Sequence, residues 1–321
     1  MTRARAAGAV FFGSGDFAVP ILLAVAAHPA IRVAAVVSAP DRPAGRGGRP
    51  RTVPVARLAR EHGLPLLQPA RLREEAVVEA IMAFAADLFV LADYGRIVPP
   101  ALVDAPAHGA LNVHPSLLPR HRGASPVAAT ILAGDAETGV TIIRMDAGID
   151  TGPIVAQERT PVEKDETTPQ LEGRLAALGA DLLTRTLEPW LAGTLRARPQ
   201  PASGASTSPV LRREDGRLAW DSDAAALERR VRALQPWPGT FTGSPIGRLV
   251  VWRAAATLAP TEPPDVDRPA PGTVVPAGRG LAVTCGGGVL ELLEVQLAGH
   301  RRMGGQDLRN GHPELVGARL R

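Results

Sequence analysis

The sequence has a single cysteine, a single lysine and no long hydrophobic run. Cys285 stands alone, which excludes an intramolecular disulfide and any zinc site built from several cysteines. A lone cysteine of this kind is most often a small buried hydrophobic residue. No window approaches about 18 uninterrupted apolar residues, so no membrane-spanning helix is predicted. The N-terminal residues lead into a strand-like segment without a signal-peptide cleavage pattern, and we therefore expect a cytoplasmic protein.

Arginine takes the place of lysine in this chain. Lys164 is the only lysine among 36 basic residues, and 32 acidic residues leave a formal net charge of +4. That net charge alone does not predict a nucleic-acid partner. However, residues 1–60 contain nine arginines against only Asp16 and Asp41. Such a local excess is typical of a surface that binds a polyanion, and it is equally typical of a solvated arginine-rich surface.

The length and the overall composition predict a folded chain of two domains. With 321 residues, of which 45% are hydrophobic and 21% charged, the chain can bury one large core or two ordinary ones. These proportions are those of a soluble globular protein rather than of a disordered or a membrane protein.

The first 190 residues or so alternate between strand and helix patterns, which predicts an α/β domain with an open, mostly parallel, doubly wound sheet. Thr168 followed by Pro169 predicts the start of a helix that extends to about residue 192. We predict strands at 9–12, 33–38, 87–95, 109–115, 139–145 and 153–162. Helices are predicted after Gly15 and at 55–63, 72–86 and 125–133.

A stretch rich in proline, serine and glycine then interrupts the alternation. The sequence "RARPQPASGASTSP" at 196–209 has no apolar period and is predicted to be a linker between a domain at 1–195 and one at 210–321. After a helix near 223–234, the remaining sequence consists of short β segments between glycine and proline turns. That spacing predicts a small β-barrel of the OB type, although a fold alone does not establish what it binds.

The glycine turn after the first strand raises the alternative of a dinucleotide site. Residues 13–18 fit G-x-G-x-x-A between a strand and a helix. An NAD site would also need an acidic residue at the end of the second strand, where this chain has Ser38, and Asp41 is displaced into a loop. The same glycines could serve a tight turn that lets the backbone approach another ligand.

The histidines and aspartates do not form a recognisable metal motif. His108, His114 and His121 are six and seven positions apart, which places no pair on one helical face. Asp146 and Asp150 resemble a calcium loop only superficially, since glycine stands where a ligand is needed. We therefore predict no metal.

Two polar residues mark the end of the strand in "LNVHPSLLPRHRG". Side chains alternate along a strand, so Asn112 and His114 point to the same face about 7 Å apart. Pro115 holds His114 in extended geometry and cannot continue the hydrogen-bond ladder. Both side chains would then lie at the carboxyl end of a parallel strand, where open α/β sheets bind ligands. The alternative is structural: His114 bonds a neighbouring carbonyl and Asn112 satisfies a turn.

Asp150 supplies a third polar group, in a glycine-rich turn. A carboxylate beside an imidazole fixes its tautomer and favours its protonated form. Asn112 and His114 can donate to a developing oxyanion, and Asp150 can orient the imidazole or assist proton removal. The three together suit transfer of an acyl group to an external amine.

The stretches "NVHPSLLPRHRGASP" and "AETGVTIIRMDAGIDTGPI" resemble the 10-formyltetrahydrofolate-dependent formyltransferases. Asn112, His114 and Asp150 match that family's catalytic positions. The resemblance assigns folate contacts to a second set of residues: Ser116, Leu117, Leu118, Pro119, Tyr94 and Gly95. Where the family commonly has a small apolar residue before Tyr-Gly and an aliphatic one after it, this chain has Asp93 and Arg96, which could pair at the pocket rim or face solvent.

Three further stretches are similar to family members that act on methionyl-tRNA: "PDRPAGRG" at 40–47, "ALQPWPGTF" at 233–241 and "GHRRMGGQDLRNG" at 299–311. The resemblance implies a Rossmann-like domain followed by an OB-like domain. It implies formyl transfer from 10-formyltetrahydrofolate to the α-amino group of methionyl initiator tRNA, by a monomer without a metal. The implied tRNA contacts are Arg42, Arg46, Arg49, Arg51, Arg301 and Arg302. The alternatives are a relative that formylates a sugar-nucleotide amine and a non-catalytic RNA-binding relative.

Overall fold

The computed structural model describes residues 5–44, 49–257 and 269–321. The chain forms two compact units. The first comprises the residues up to Pro126 together with Glu137–Pro161 and Leu171–Pro209, and the second comprises Val127–Ala136, Val162–Gln170 and Val210–Arg321.

The first unit is built on a seven-stranded sheet of order β10-β9-β7-β6-β1-β2-β5. Its strands and those of two small ladders are β1 Ala7–Gly13, β2 Ile31–Val37, β3 Arg42–Ala44, β4 Arg49–Arg51, β5 Leu66–Leu67, β6 Leu88–Ala92, β7 Ala110–His114, β8 Arg122–Gly123, β9 Glu137–Arg144, β10 Ile154–Pro161 and β11 Thr207–Ser208. The helices from α1 to α6 are Ala18–Ala27, Pro54–Glu61, Glu75–Met82, Pro100–Val103, Pro126–Ala133 and Thr168–Leu191.

Strands β1, β2, β5, β6 and β7 are parallel, whereas β9 runs antiparallel to both β7 and β10. The predicted α/β class with a mostly parallel sheet is therefore confirmed. Strand β1, the middle one of the five parallel strands, is buried along nearly its whole length, which explains its continuous apolar sequence. Full burial of a side chain such as Phe12 or Ile21 contributes about 1.5–3 kcal/mol.

Helix α3 is shorter than its pattern predicts. The apolar periodicity extends to residue 86, but the helix ends at Met82. Ala85 adopts a φ of +45°, a left-handed conformation that cannot continue a right-handed helix. The chain thereby turns directly into β6.

The second unit contains an antiparallel β domain, as the sequence predicts. Besides α5 from Val127 onward and the first residues of α6, this unit contains the helices α7 Ala224–Ala233 and α8 Gly305–Gly311, with 3-10 turns at Arg213–Gly216 and Pro313–Leu315. Its strands are β12 Thr240–Ser244, β13 Gly247–Thr257, β14 Val274–Ala277, β15 Gly280–Thr284, β16 Val289–Leu297 and β17 Met303–Gly304.

These strands lie in the order β12-β13-β16-β15-β14, with β17 on β16. The C-terminal residues bridge the two edge strands. Val274 N–H of β14 donates to Ala318 O (2.9 Å), and Arg321 N–H donates to Gly243 O of β12 (2.9 Å). The core inside includes Leu227, Leu281 and the buried Cys285.

Among residues 5–44, 49–257 and 269–321, no helix is long and apolar enough to cross a membrane.

Candidate active site

The site lies at the end of β7, where the ladder with β6 stops. Leu91 of β6 pairs with Asn112, and on the other side His114 pairs with Thr141 of β9. Asn112 is half-buried and His114 is 4% exposed. β7 ends at His114 and Pro115 follows, so both polar side chains stand at the carboxyl edge of the parallel strands, as predicted.

Asp150 brings the three predicted catalytic residues together. Its carboxylate accepts hydrogen bonds from the Gly123 N–H (2.8 Å) and from Asn112 Nδ2 (3.2 Å). The same carboxylate lies 3.6 Å from His114 Nδ1. Asp150 has a φ of +52°, which aspartate tolerates better than most residues but which still needs support from its surroundings.

The second nitrogen of His114 faces an acceptor as well. His114 Nε2 lies 3.1 Å from the carbonyl oxygen of His121. A neutral imidazole has one N–H, which the tautomer protonated on Nε2 donates to the His121 carbonyl, whereas a second proton on Nδ1 would be attracted by the Asp150 carboxylate at 3.6 Å. Burial lowers the pKa of His114, while the Asp150 carboxylate and the His121 carbonyl favour the charged form and the His121 ring opposes it. His121, which the sequence left without a role, thus contributes its backbone carbonyl to the site.

The stretch expected to contact folate is largely bonded within the protein. Ser116 is fully buried and its hydroxyl donates to Arg120 O (2.7 Å). Thr141 Oγ1 donates to Ser116 O (2.6 Å) and accepts from Leu118 N–H (3.1 Å). Leu118 and Pro119 are buried as well, and Leu117 is the half-buried member of the four. Folate contacts from this stretch remain a prediction, with Leu117 the most accessible side chain.

Tyr94 has a buried hydroxyl for which the described part of the chain offers no hydrogen-bond partner. Its ring packs edge-on against Phe12 at a centroid distance of 5.6 Å, and burial raises the pKa of its phenol. An orphaned buried hydroxyl points to a missing partner, such as a polar ligand. Gly95 follows with a φ of +69°. Both are predicted folate contacts.

Asp93 packs over the glycine turn after β1. A methyl group on Gly15 would come within 1.7 Å of Asp93 Oδ2, and the Ser14 N–H donates to the Asp93 carbonyl (3.0 Å). Burial, together with Glu172 and Asp16, raises the pKa of Asp93 to about 7. A carboxyl group thus stands where a dinucleotide site would need its pyrophosphate to approach, which disfavours the dinucleotide alternative.

Arg96 does not pair with Asp93. Its guanidinium donates instead to the carbonyl oxygens of Pro69 (2.8 Å) and Ala70 (2.9 Å). The rim pair considered from the sequence is therefore wrong, because Arg96 satisfies backbone acceptors of another loop.

The predicted tRNA contacts of the first unit are carried by a small hairpin. Arg42 belongs to β3, and Arg49 and Arg51 belong to β4, which pairs with β3 in antiparallel register. Arg46 lies outside the described residues. At the base of the hairpin, Asp41 accepts from Arg60 (3.0 Å) and from the Val53 N–H (3.1 Å).

In the second unit, Arg301 is exposed, whereas Arg302 is already engaged. The Arg302 guanidinium stacks on Trp252 at 3.7 Å from the ring centroid and lies 3.6 Å from Glu294.

The structure also shows an arginine group that the sequence did not indicate. Arg248 stacks on Phe241 at 3.5 Å from the ring centroid, and Arg217 forms a β-bridge with Phe241. Burial, with repulsion from Arg213 and Arg217, lowers the pKa of Arg248. These arginines come together only through the pairing of β12 with β13 and the preceding segment, so no spacing in the sequence reveals them.

Among the residues that the structure describes, no group of three or more histidine, cysteine, aspartate or glutamate side chains could hold a metal ion.

Comparison with known families agrees with this fold. The model of the family "Formyl transferase" matches residues 8–187, and that of "Formyl transferase, C-terminal domain" matches residues 210–313. The chain belongs to the formyl transferase family, and it is an enzyme of formyl transfer.

Two of its most similar relatives within this family are formyltransferases that share one name. It is 45% identical over 310 residues to the methionyl-tRNA formyltransferase of Thermus thermophilus. The matched region covers 97% of this chain and 98% of that protein. It is 43% identical to the methionyl-tRNA formyltransferase of Myxococcus xanthus (strain DK1622) over 96% of each chain. Among solved structures, HypX from Aquifex aeolicus in complex with tetrahydrofolic acid has the same fold, with a TM-score of 0.60, 14% identity, and coverage of 96% of this chain and 48% of that one.

Proposed function

We propose that this chain transfers the formyl group of 10-formyltetrahydrofolate to the α-amino group of methionyl initiator tRNA. The observation that carries the proposal is the convergence of Asn112, His114 and Asp150 at one strand end. Near full-length identity of 43–45% to named methionyl-tRNA formyltransferases supports the choice of acceptor.

The reaction needs a neutral amine that attacks the formyl carbon. A C–N bond to the methionyl nitrogen forms, and the formyl oxygen becomes an oxyanion. Collapse of this tetrahedral intermediate then breaks the bond to N10. The proton released by the methionyl nitrogen is matched by the one that N10 gains, so tetrahydrofolate leaves neutral at that nitrogen.

Asn112 is placed to stabilise the oxyanion. Its Nδ2 donates one hydrogen bond to Asp150 Oδ1 (3.2 Å), which fixes the orientation of the amide. The second N–H of the same group is then available to donate to the developing oxyanion. A preorganised donor of this type is worth roughly 10²–10³ in rate.

His114 contributes mainly through its charge. Its nitrogens face Asp150 and His121, so the protonated ring places a positive charge beside the oxyanion. A direct hydrogen bond from Nε2 to the substrate would require that nitrogen to leave the His121 carbonyl. Asp150 supports the charged form, since a carboxylate near a buried imidazole opposes its deprotonation.

For tRNA, we propose contacts by Arg42, Arg46, Arg49 and Arg51 in the first unit and by Arg301 and Arg302 in the second. The crowded group of Arg213, Arg217 and Arg248 is a further candidate, because like charges held together are relieved by a phosphate. The cytoplasmic location and the monomeric state also stay predictions.

The decisive test supplies purified protein with 10-formyltetrahydrofolate and charged initiator tRNA, and measures N-formylmethionine released from the tRNA. We expect transfer by the wild type and a large loss of kcat in His114→Ala with little change in tRNA affinity. No transfer to tRNA, together with formylation of a sugar-nucleotide amine, would select the alternative enzyme. Binding of tRNA without any transfer would indicate a non-catalytic relative.

A further inference from the structure

The segment 196–209, which the sequence predicts to be a linker, bonds directly to the loops of the catalytic site. Gln200 makes four of these hydrogen bonds through its side chain. Gln200 Nε2 donates to the carbonyl oxygens of Asp150 (2.7 Å) and Gly152 (2.8 Å). Its Oε1 accepts from Arg122 Nε (3.1 Å) and Nη2 (2.6 Å). One side-chain amide therefore joins the Asp150 turn to β8, and uses both of its hydrogens and its oxygen to do so.

Two serines of the same segment hold the other side of the site. Ser206 Oγ accepts from the His121 N–H (2.9 Å), and Ser208 Oγ donates to Arg122 O (3.1 Å). β11 pairs in parallel with β8. The approach is so close that a methyl group on Gly123 would lie 2.5 Å from Ser208 O.

The atoms held in this way are those that contact the catalytic side chains. His121 presents its carbonyl to His114 Nε2, and Gly123 presents its N–H to Asp150 Oδ2. Asp150 sits in a left-handed conformation, which persists only when the surroundings fix it. Gln200 holds the carbonyl of that same residue, so it restrains both the strained backbone and the direction of the carboxylate.

We propose that Gln200 is a positioning residue for formyl transfer, which fixes Asp150 against His114, with Ser206 holding the opposite loop. The proposal rests on the proposed function of the site and adds to it a residue 50 positions from Asp150. Gln200 itself does not touch the reacting atoms.

The position of Asp150 has a consequence for pH dependence. The ionisable groups that face His114 are the Asp150 carboxylate, which favours the imidazolium, and the His121 ring, which opposes it. If Asp150 moves away, the imidazolium loses its support and deprotonates at lower pH. The alkaline limb of the kcat profile should then shift to lower pH, an effect that mere loss of folded protein does not produce.

The test compares three variants in the full chain. Gln200→Ala removes all four side-chain hydrogen bonds of Gln200, those to the Asp150 turn and those from Arg122. Gln200→Glu keeps an acceptor for Arg122 and loses both donors to the Asp150 turn. Ser203→Ala is the matched control, because Ser203 is exposed in the same segment. We expect kcat to fall about 10–10²-fold in both Gln200 variants, as for a misplacement of about 1 Å, with KM values nearly unchanged. Ser203→Ala should behave as the wild type.

Several outcomes overturn the proposal. Wild-type kcat and an unshifted pH profile in Gln200→Ala would do so, and wild-type kcat in Gln200→Glu would show that attachment to Arg122 is sufficient. A loss of activity that only follows a loss of folded protein in thermal unfolding also counts against it. Should Gln200→Ala not fold, Ser206→Ala against Ser203→Ala tests the same arrangement at the opposite loop.

A readout without an acceptor separates this inference from the proposed function. NMR titration of labelled His114 should give a lower pKa in Gln200→Ala than in the wild type, and equal values overturn the positioning role. If the wild type fails to formylate charged tRNA while the His114 shift is present, the acceptor is wrong and the positioning holds.

Discussion

Replacement of Asp150 by asparagine isolates the charge of the carboxylate from its shape. Asparagine tolerates the left-handed backbone as aspartate does, and its side-chain oxygen can still accept from the Gly123 N–H. What disappears is one negative charge, which lies 3.6 Å from His114 Nδ1.

The size of this effect follows from the distance. At an effective dielectric of about 20, two unit charges 3.6 Å apart attract by about 4–5 kcal/mol, so the Asp150 carboxylate opposes deprotonation of the imidazolium. Because burial already lowers the pKa of His114, Asp150→Asn should lower it further and reduce the fraction of imidazolium at any given pH. We expect kcat to fall by about 10²–10³, the range typical of the loss of one group that stabilises an oxyanion.

Single-turnover formylation of charged initiator tRNA, measured between about pH 6 and 9, is the suitable assay because it reports chemistry rather than product release. Asp104→Asn is the control, since Asp104 is exposed at the end of α4. Wild-type turnover in a folded Asp150→Asn protein would refute the reasoning. A uniform rise in KM with unchanged kcat would refute it as well, because it would place Asp150 in binding rather than in chemistry.

Two further predictions concern stability and tRNA binding. The folded state holds the proton of Asp93 up to about pH 7, whereas the unfolded chain releases it near its ordinary pKa of 3.8, so stability falls as pH rises between these values. The full shift would amount to about 4 kcal/mol. Although burial is the main cause of the shift, Asp93 keeps part of its surface exposed to solvent, so we expect screening to leave about 1–2 kcal/mol. Asp93→Asn should therefore show a smaller pH dependence of the free energy of unfolding than the wild type, and parallel curves would contradict this. Arg301→Ala should reduce the slope of log K for tRNA against log salt by about one unit, whereas Arg159→Ala should not, because Arg159 already lies 3.4 Å from Glu137. An unchanged slope would mean that Arg301 faces solvent.

Local patterns in the sequence were sufficient for much of the fold. The alternation of strands and helices predicted the parallel sheet, and Pro115 predicted that β7 ends at His114. These features depend on side-chain period and on the restricted backbone of proline, which are properties of neighbouring residues. The end of α3 was misjudged, since Ala85 takes a left-handed conformation that no local signal announces.

The family resemblance added catalytic assignments that hydrophobic periodicity and motif spacing do not provide. Chemical complementarity had already suggested that Asp150 acts with Asn112, 38 positions away, and the resemblance matched both to catalytic positions of the family. The structure brings the two side chains together as expected. Their catalytic roles remain a prediction, which the variants above test.

The sequence by itself therefore determined the class of fold, the strand end that carries His114 and the family of the chain. Only the tertiary structure decided how those residues are held. The carbonyl of His121, the amide of Gln200 and the close approach of Ser208 to Gly123 depend on long-range hydrogen bonds between loops. Proline, serine and glycine in the segment 196–209 carry no apolar period, so the pattern predicted a linker. Backbone polar groups that are buried must nevertheless find partners, and in this fold the partners of the catalytic loops come from that segment.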